Sequence, residues 1–166
     1  MAYDILLNIA TIKGESKIAG FEKQIDLLQW SWGESNSGTF HTGGGGGAGK
    51  VNVQDLALTK YVDLSSPVFL LNCASGEHIP EATLTVRKSG GKAGDDALNY
   101  LVVTMKKIMV SSVVITGTTS DDRLTESVTL NFADVSVKYT QQTDTGTGGD
   151  AKTFHWDIEA NKGDVS

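Results

Sequence analysis

Cysteine and proline are scarce in this chain of 166 residues. There is one cysteine, Cys73, and there are 2 prolines. A single cysteine excludes an intrachain disulfide and a metal site built from several cysteines. For a mass of 17.6 kDa, the scaling of accessible surface area with mass predicts that folding buries about two thirds of the surface of the unfolded chain. The fold therefore needs neither a disulfide nor a metal to hold it together.

An excess of basic residues and a long apolar run are also missing. Lys and Arg number 14 against 20 Asp and Glu, a net charge of −6, which argues against nucleic acid as a partner because phosphate binding needs basic surface. No apolar stretch reaches the ~20 residues of a membrane span. The start of the chain has neither a basic leader nor an apolar run of signal-peptide length. We expect a protein made in the cytoplasm without membrane insertion or a cleaved signal peptide.

Glycine, by contrast, is abundant, with 19 residues that divide the chain into short segments. Apolar residues in most segments alternate with period two, which is typical of half-buried strands. Tyr3, Ile5 and Leu7 share one face of the first strand, and residues 153–159 form the last predicted strand. No segment resembles a linker between two cores, so we predict a single domain over residues 1–166.

Two strands change phase partway along their length. After Phe132 the next inward apolar residue is Val135, and an inserted residue near Ala133–Asp134 would restore the inward direction, as a β-bulge does. Val53 gives way to Leu56 in the same manner. Such phase shifts indicate strongly curved strands that close into a barrel.

One segment has the pattern of a helix. Ser65, Ser66 and Pro67 supply a hydroxyl cap and a proline at the first helical position, and Gly76 suits a left-handed terminal residue. Cys73 on this helix is interpreted as a small apolar core residue. The predicted fold is mainly β: a single β-barrel of two curved antiparallel sheets with one short flanking α-helix and a long projecting hairpin loop.

The sequence offers no assembled catalytic or cofactor site. Residues 44–50 fit the first seven positions of a phosphate-binding P-loop, but Val51 stands where Ser or Thr must hold magnesium, and an extended strand is expected to follow instead of a helix. His41, His78 and His155 lack partners at metal-ligand spacing. The lone cysteine has no base beside it. We therefore predict no enzyme activity, no cofactor and no metal.

The glycine-rich segment around residues 43–49 poses an energetic problem. Ordering it costs on the order of 10 kcal/mol of backbone entropy, and consecutive glycines supply no side chains to offset that cost. Either the loop is mobile or another surface orders it, and its strand-like flanks favour a docking element. Residues 100–115 carry apolar side chains on both faces, which suggests that a neighbouring subunit, or in part the helix, covers one face.

The order of motifs along the chain resembles the Hcp family, the haemolysin-coregulated proteins of type VI secretion systems. The matching stretches are residues 12–16 (IKGES), 25–33 (IDLLQWSWG), 41–55, 59–61 (TKY), 65–67 (SSP), 82–88 (ATLTVRK), 110–112 (VSS) and 123–132 (RLTESVTLNF). The resemblance implies a structural subunit, itself exported, that forms homo-hexameric rings stacking into a hollow tube. It further implies effector proteins as cargo in the lumen, a spike protein at the tip and a contractile sheath outside. Residues 160–166 are too few for the C-terminal effector extension that some members carry.

Two sets of residues are candidates for these roles. For subunit contact and ring stacking the candidates are Thr39, Phe40, His41, Thr42, Gly43, Gly44, Gly45, Gly46, Gly47, Ala48, Gly49 and Lys50. For the lumen and its cargo they are Gln29 and Ser31, which alternate with Trp30 and Trp32 and face outward if the tryptophans face the core. The alternative is a monomeric β-barrel that binds a small ligand beneath the closing glycine loop.

Overall fold

The computed structural model describes residues 3–38, 49–88 and 97–166. These residues form eleven strands and one helix. The elements are β1 (Tyr3–Ile9), β2 (Ile25–Asp26), β3 (Gln29–Ser31), β4 (Glu34–Ser35), β5 (Asn52–Val53), β6 (Leu56–Tyr61), α1 (Ser66–Ser75), β7 (His78–Lys88), β8 (Asn99–Thr116), β9 (Thr125–Gln142), β10 (Gly148–Asp157) and β11 (Lys162–Val165). All strand pairs are antiparallel, which confirms the mainly β prediction.

Nine of the strands form one hydrogen-bonded sheet, and β4 and β5 form a second, two-stranded one. The two 18-residue strands, β8 and β9, each belong to two layers. With residues 99–109, β8 pairs with β7, and with residues 134–142, β9 pairs with β10. We call this layer, which also holds β1, β2 and β11, the wide sheet. The narrow sheet consists of β3, β6, residues 125–130 of β9 and residues 110–116 of β8.

The segment from β2 to β3 joins the two layers. β2 pairs with β1, and the Leu27 N–H donates to the Ile5 carbonyl at 2.9 Å; one residue later the Leu28 N–H donates to the Thr59 carbonyl at 2.8 Å. Strand pairing runs from β2 through β1, β7, β8, β9 and β6 to β3, and the chain itself connects β2 to β3 through Leu27 and Leu28. The layers enclose one buried apolar cluster to which both contribute, for example Leu84 and Leu58.

The corner between the layers lies in the middle of β8, which corrects the predicted bulge in β9. Across Ala133–Asp134 the register is continuous, since Ile108 faces Phe132 and Lys106 faces Asp134. The register shifts instead between Val110 and Ser112. Three residues before this shift, Lys107 has a left-handed backbone with φ 54°. Both strands turn from one layer to the other together, and they stay paired on both sides of the register shift.

The helix forms as predicted, from Ser66 to Ser75, with Pro67 in its first turn and Gly76 at φ 68° as its terminal residue. Its Ser65 cap differs from the expectation because the Ser65 side chain makes no capping bond to the helix. The Ser65 N–H and hydroxyl both donate to Asp63 Oδ1. Cys73 is half-buried against the core, and Phe69 is fully buried.

A further strand follows the one predicted to be last. Residues 158–161 turn the chain, with Asn161 at φ 53°, and β11 returns along β10. The sequence predicts no strand beyond residue 159, because Lys162 to Val165 contains one apolar residue and so shows no alternation. Gly163 is required at this point, since a Cβ there would overlap the His155 carbonyl oxygen.

Candidate functional site

The outward face of the narrow sheet is uncharged, and most of its side chains are small. Two rows of directly opposed residues cross its four strands, and their side chains alternate with buried ones. One row is Ser31, Ala57, Thr129 and Ser112, and the other is Gln29, Thr59, Ser127 and Val114. We call these eight residues the neutral face. In a chain of which 20% of the residues are charged, it carries no ionisable group.

Gln29 and Ser31 lie on this face as their alternation requires. Both are exposed, while Trp30 and Trp32 are half-buried and pack against the core. The Trp32 indole N–H donates to the Gln54 carbonyl at 2.9 Å, and its ring lies 6.3 Å from that of Phe132. The tryptophans therefore fix the orientation of β3, and with it the direction of Gln29 and Ser31.

Sequence reasoning missed the other six residues of the neutral face. Their signal was present, because Leu56, Leu58, Val128 and Leu130 are buried and the residues between them must point the opposite way. What the sequence could not supply was the pairing of β6 with β9, which lie more than 60 residues apart. Without that pairing the hydroxyl residues of separate strands cannot be assigned to one surface.

Charged groups occur immediately beyond the two rows. At one end, Asp55 accepts hydrogen bonds from the Ser111 hydroxyl at 2.6 Å and the Asn131 amide at 2.8 Å. At the other end, the Arg123 guanidinium stacks 3.9 Å from the centre of the Tyr61 ring. The neutral face is thus bounded by an acidic and a basic group, each held by a neighbour on the sheet.

The hairpin candidates are only partly described. β4 pairs with β5, so the residues on both sides of the segment 36–51 belong to the fold. Residues 39–48, which include most of the predicted stacking residues, lie outside the described residues. A strand follows the glycine segment where a P-loop would need a helix, as predicted. Gly49 and Lys50 are described, and a Cβ at Gly49 would overlap the Ser37 hydroxyl.

Lys50 borders a cleft of about 620 Å³ at the outer side of the corner. Ile79, Phe132 and Ile158 line its apolar floor, and Lys107 and Glu159 stand at its rim. The Lys107 ammonium donates to Glu159 Oε2 at 2.7 Å, and this carboxylate raises the pKa of Lys107. The cleft therefore lies beside the left-handed backbone of Lys107, where β8 bends.

A second cleft of about 370 Å³ lies at the base of the hairpin, between Glu34, Val51 and the aromatic pair Phe154 and Trp156. The Trp156 indole nitrogen is buried, and among the described residues it has no hydrogen-bond acceptor. A buried donor without an acceptor loses free energy. This cleft is therefore a candidate place for a small ligand among the described residues.

A buried ion pair ties the helix to the narrow sheet. Lys60 and Glu126 face each other across β6 and β9, and both side chains are fully buried. The Lys60 ammonium donates to Glu126 Oε1, to Asp63 Oδ1 at 2.8 Å and to the Ser66 hydroxyl at 3.2 Å. Ser66 is the first residue of α1, so this network fixes the start of the helix on the sheet.

Large apolar side chains remain exposed at the edge of the narrow sheet formed by β8. Val114 is 57% exposed and Ile115 is 43% exposed. Leu70 and Leu71 on the outer side of α1, which packs against β8, are exposed as well. Among the apolar residues of 100–115, the buried ones are Val103, Met105, Ile108 and Val110, and the exposed ones are Met109, Val114 and Ile115.

The described part of the chain holds no cluster of three His, Cys, Asp or Glu residues that could bind a metal ion. His155 pairs with Asp134 through Nε2 at 2.8 Å and is 42% exposed. None of the helices built from the described residues is long and apolar enough to cross a membrane.

Comparison with known proteins gives consistent similarities over nearly the whole chain. The family model for the type VI secretion system effector Hcp matches residues 6–139. The chain is 51% identical over 163 residues to Protein hcp1 of Pseudomonas aeruginosa, covering 97% of this chain and 98% of that one. The solved structure of a type six secretion system protein has a TM-score of 0.91 at 25% identity, covering 98% of this chain and 100% of that one. Hcp1 from Salmonella typhimurium has a TM-score of 0.78 at 33% identity, with coverages of 99% and 100%. The span matched by the family model contains all four strands of the narrow sheet.

Proposed function

We propose, from the premise that the chain belongs to the Hcp family of type VI secretion proteins, that it is a structural subunit of the secretion tube. Six copies form a ring, rings stack into a hollow tube, and effector proteins are held in the lumen. The subunit is itself exported, with a spike protein at the tip of the tube and a contractile sheath around it. Its role is structural and not enzymatic.

The neutral face is the observation that carries this proposal. Oppositely charged surfaces at close range attract each other strongly where water is limited. A passage for folded proteins therefore needs an uncharged wall, because a charged wall would retain proteins of opposite charge. Eight uncharged residues on four neighbouring strands, most of them small, provide such a wall. We assign this face to the lumen, with Gln29 and Ser31 as cargo contacts and with Thr59, Ser127 and Thr129 beside them.

Ring formation is tested by sedimentation velocity of the purified chain in dilute buffer. A six-membered ring has six times the chain mass of 17.6 kDa, or about 106 kDa. We expect this species at micromolar concentration. A monomer under these conditions would contradict the proposed function.

The hairpin from Thr39 to Lys50 is the candidate for the axial contact between rings. An interface along an axis that never closes generates a filament, and glycine allows close approach of backbones. Deleting Gly43–Gly47 should leave rings of unchanged mass but abolish their stacking in electron micrographs. Normal stacking of rings by this deletion variant would contradict the assignment of the hairpin to the axial contact.

Cargo contact is tested by placing a charge on the neutral face. Ser31→Glu should leave the ring mass unchanged and change the retention of a co-expressed effector by at least tenfold. Glu81 lies on the outward face of the wide sheet and is exposed, so Glu81→Ser is the matched control and should have no effect. Loss of the ring in Ser31→Glu would place Ser31 in a subunit interface instead.

A second candidate function is a monomeric binding module, favoured by the cleft beside Trp156. A ligand with a hydrogen-bond acceptor would satisfy the buried indole N–H there. Under this alternative, Trp156→Phe weakens ligand binding and the wild-type chain sediments as a monomer. A ring of the expected mass would exclude the monomeric form.

A further inference from the structure

Two side chains of opposite charge lie at the two ends of the neutral face. Asp55 lies two residues before Ala57, at one end of this face. Tyr61 lies two residues after Thr59, at the other end, and the Arg123 guanidinium stacks on its ring. Asp55 and Tyr61 are six residues apart on one extended segment, which places the carboxylate and the guanidinium about 20 Å apart along the sheet.

The sheet holds the Asp55 carboxylate in one position. Its Oδ2 accepts a hydrogen bond from the Ser111 hydroxyl at 2.6 Å, and its Oδ1 accepts one from the Asn131 amide at 2.8 Å. The Ser111 hydroxyl also lies 2.7 Å from the hydroxyl of Thr129, a member of the neutral face. The carboxylate is therefore fixed before any ligand binds, which reduces the entropy that binding would cost.

Arg123 is held at the other end without losing its ability to donate. The Tyr61 ring covers one face of the guanidinium at 3.9 Å, and stacking leaves the N–H groups at the edge of the guanidinium free to bind a carboxylate. The nearby Asp121 carboxylate accepts a hydrogen bond from the Thr118 hydroxyl at 2.9 Å. Within the described part of the chain, neither Asp55 nor Arg123 forms an ion pair.

The two charges act separately in solution. The Debye length is about 8 Å at physiological ionic strength, less than half of the separation of about 20 Å, so neither charge cancels the other. In a ring of six copies in one orientation, six Asp55 carboxylates surround one end of the passage and six Arg123 guanidinium groups surround the other. Each set of like charges concentrates its field within the passage.

We propose that Asp55 and Arg123 determine which way round a cargo protein lies in the ring. The fitting cargo has an acidic surface at the Arg123 end and a basic surface at the Asp55 end. This inference rests on the proposed ring and on the assignment of the neutral face to its lumen, and it adds the charge pattern of the cargo. Exposed ion pairs are individually weak, so the two sets of charges orient the cargo and still allow its release.

Two labelled peptides, an oligolysine and an oligoglutamate, test the two ends separately. Fluorescence anisotropy measures their binding to purified rings at low salt. Asp55→Asn should weaken oligolysine binding about threefold or more, and Arg123→Gln should do the same to oligoglutamate binding, each without weakening the other peptide. Glu81 and Lys106 are exposed and oppose each other on the outward face of the wide sheet. As matched controls, Glu81→Gln and Lys106→Gln should change neither binding.

A dipolar peptide, with glutamates at one end and lysines at the other, tests the orientation itself. It is made in two forms, with its only thiol at either end. Ser31 lies one row from Asp55, and the exposed Thr116 lies at the Arg123 end. In a Cys73→Ala background, Thr116→Cys should form a mixed disulfide faster with the thiol at the glutamate end, by about threefold or more. Ser31→Cys should prefer the thiol at the lysine end, and Asp55→Arg with Arg123→Asp should reverse both preferences.

Sedimentation of each variant separates failure of this inference from failure of the ring. In samples that sediment as rings, peptide binding unchanged by Asp55→Asn and Arg123→Gln would overturn the inference, as would an equal loss from Glu81→Gln. Equal reaction rates of the two thiol positions at both cysteines would overturn it as well, even where the charge exchange prevents assembly. A wild-type sample without rings would instead contradict the proposed function.

Discussion

Removing the Lys60 ammonium tests how the helix is attached to the narrow sheet. In Lys60→Met the Glu126 carboxylate stays fully buried and loses its counter-charge. Breaking a buried pair by removing one partner costs about 3–5 kcal/mol. Glu126→Gln should cost less, about 1–3 kcal/mol, because Lys60 keeps Asp63 as a counter-charge and the amide oxygen remains an acceptor.

Removing both charges should cost less than the sum of the single changes. In Lys60→Met with Glu126→Met no ionised member of the pair is left, and such replacements are often close to neutral. We expect a coupling energy of about 2 kcal/mol or more between the two positions. The exposed Lys152 provides the matched control, since Lys152→Met should change stability by less than about 0.5 kcal/mol.

Urea unfolding followed by tryptophan fluorescence measures these effects, at one protein concentration because assembly adds to apparent stability. With a denaturant slope of about 2 kcal/mol per molar urea, Lys60→Met should lower the midpoint by about 2 M. A decrease below about 0.5 M would refute the role assigned to the buried pair.

Three further predictions concern the backbone and the response to pH. Gly76 has a left-handed backbone with φ 68° and open space around it. Gly76→Ala therefore causes no steric overlap, but the strained backbone should destabilise the chain by about 1 kcal/mol, which thermal unfolding measures. Gly163→Ala should abolish the hydrogen-exchange protection of β11, since its Cβ would overlap the His155 carbonyl, whereas Gly38→Ala, with open space, should not. Burial raises the pKa of Asp26, so the folded chain holds this proton more tightly and ionisation at rising pH costs stability. Asp26→Asn should therefore raise the urea midpoint at pH 7 more than at pH 3, and an equal effect at both pH values would contradict this assignment.

Local signals predicted much of the fold, because they act over a few residues. Period-two alternation identified strands such as β1 and β10, and Pro67 with Gly76 bounded the helix within a residue. β11 was missed because its residues are exposed on both faces, which leaves no pattern of burial in the sequence.

Long-range features were less accessible from the sequence. The phase change in β9 was detected, but its cause lies on the partner strand, at Lys107 and Ser111, where the two strands bend together. Lys60 continues the inward alternation of Leu56 and Leu58 along β6, which indicates a buried charge. Its partner, Glu126, cannot be identified from the sequence without the pairing of β6 with β9.

Only the part of the site that lies on one strand, β3, could be predicted from the sequence. The alternation of Gln29 and Ser31 with two tryptophans fixed which way they point. The neutral face as a surface depends on four strands drawn from residues 29 to 130. Only the register of these strands shows that hydroxyl residues far apart in sequence share one face.

The location of the neutral face in the assembled ring tests the account most directly. Ser31→Cys in a Cys73→Ala background can carry a small gold particle on a maleimide, and Glu81→Cys serves as the control on the opposite outward face. Electron micrographs should show the gold of Ser31→Cys inside the central hole and that of Glu81→Cys away from it. Gold from Ser31→Cys on the outer rim of the ring would contradict the assignment of this face to the passage.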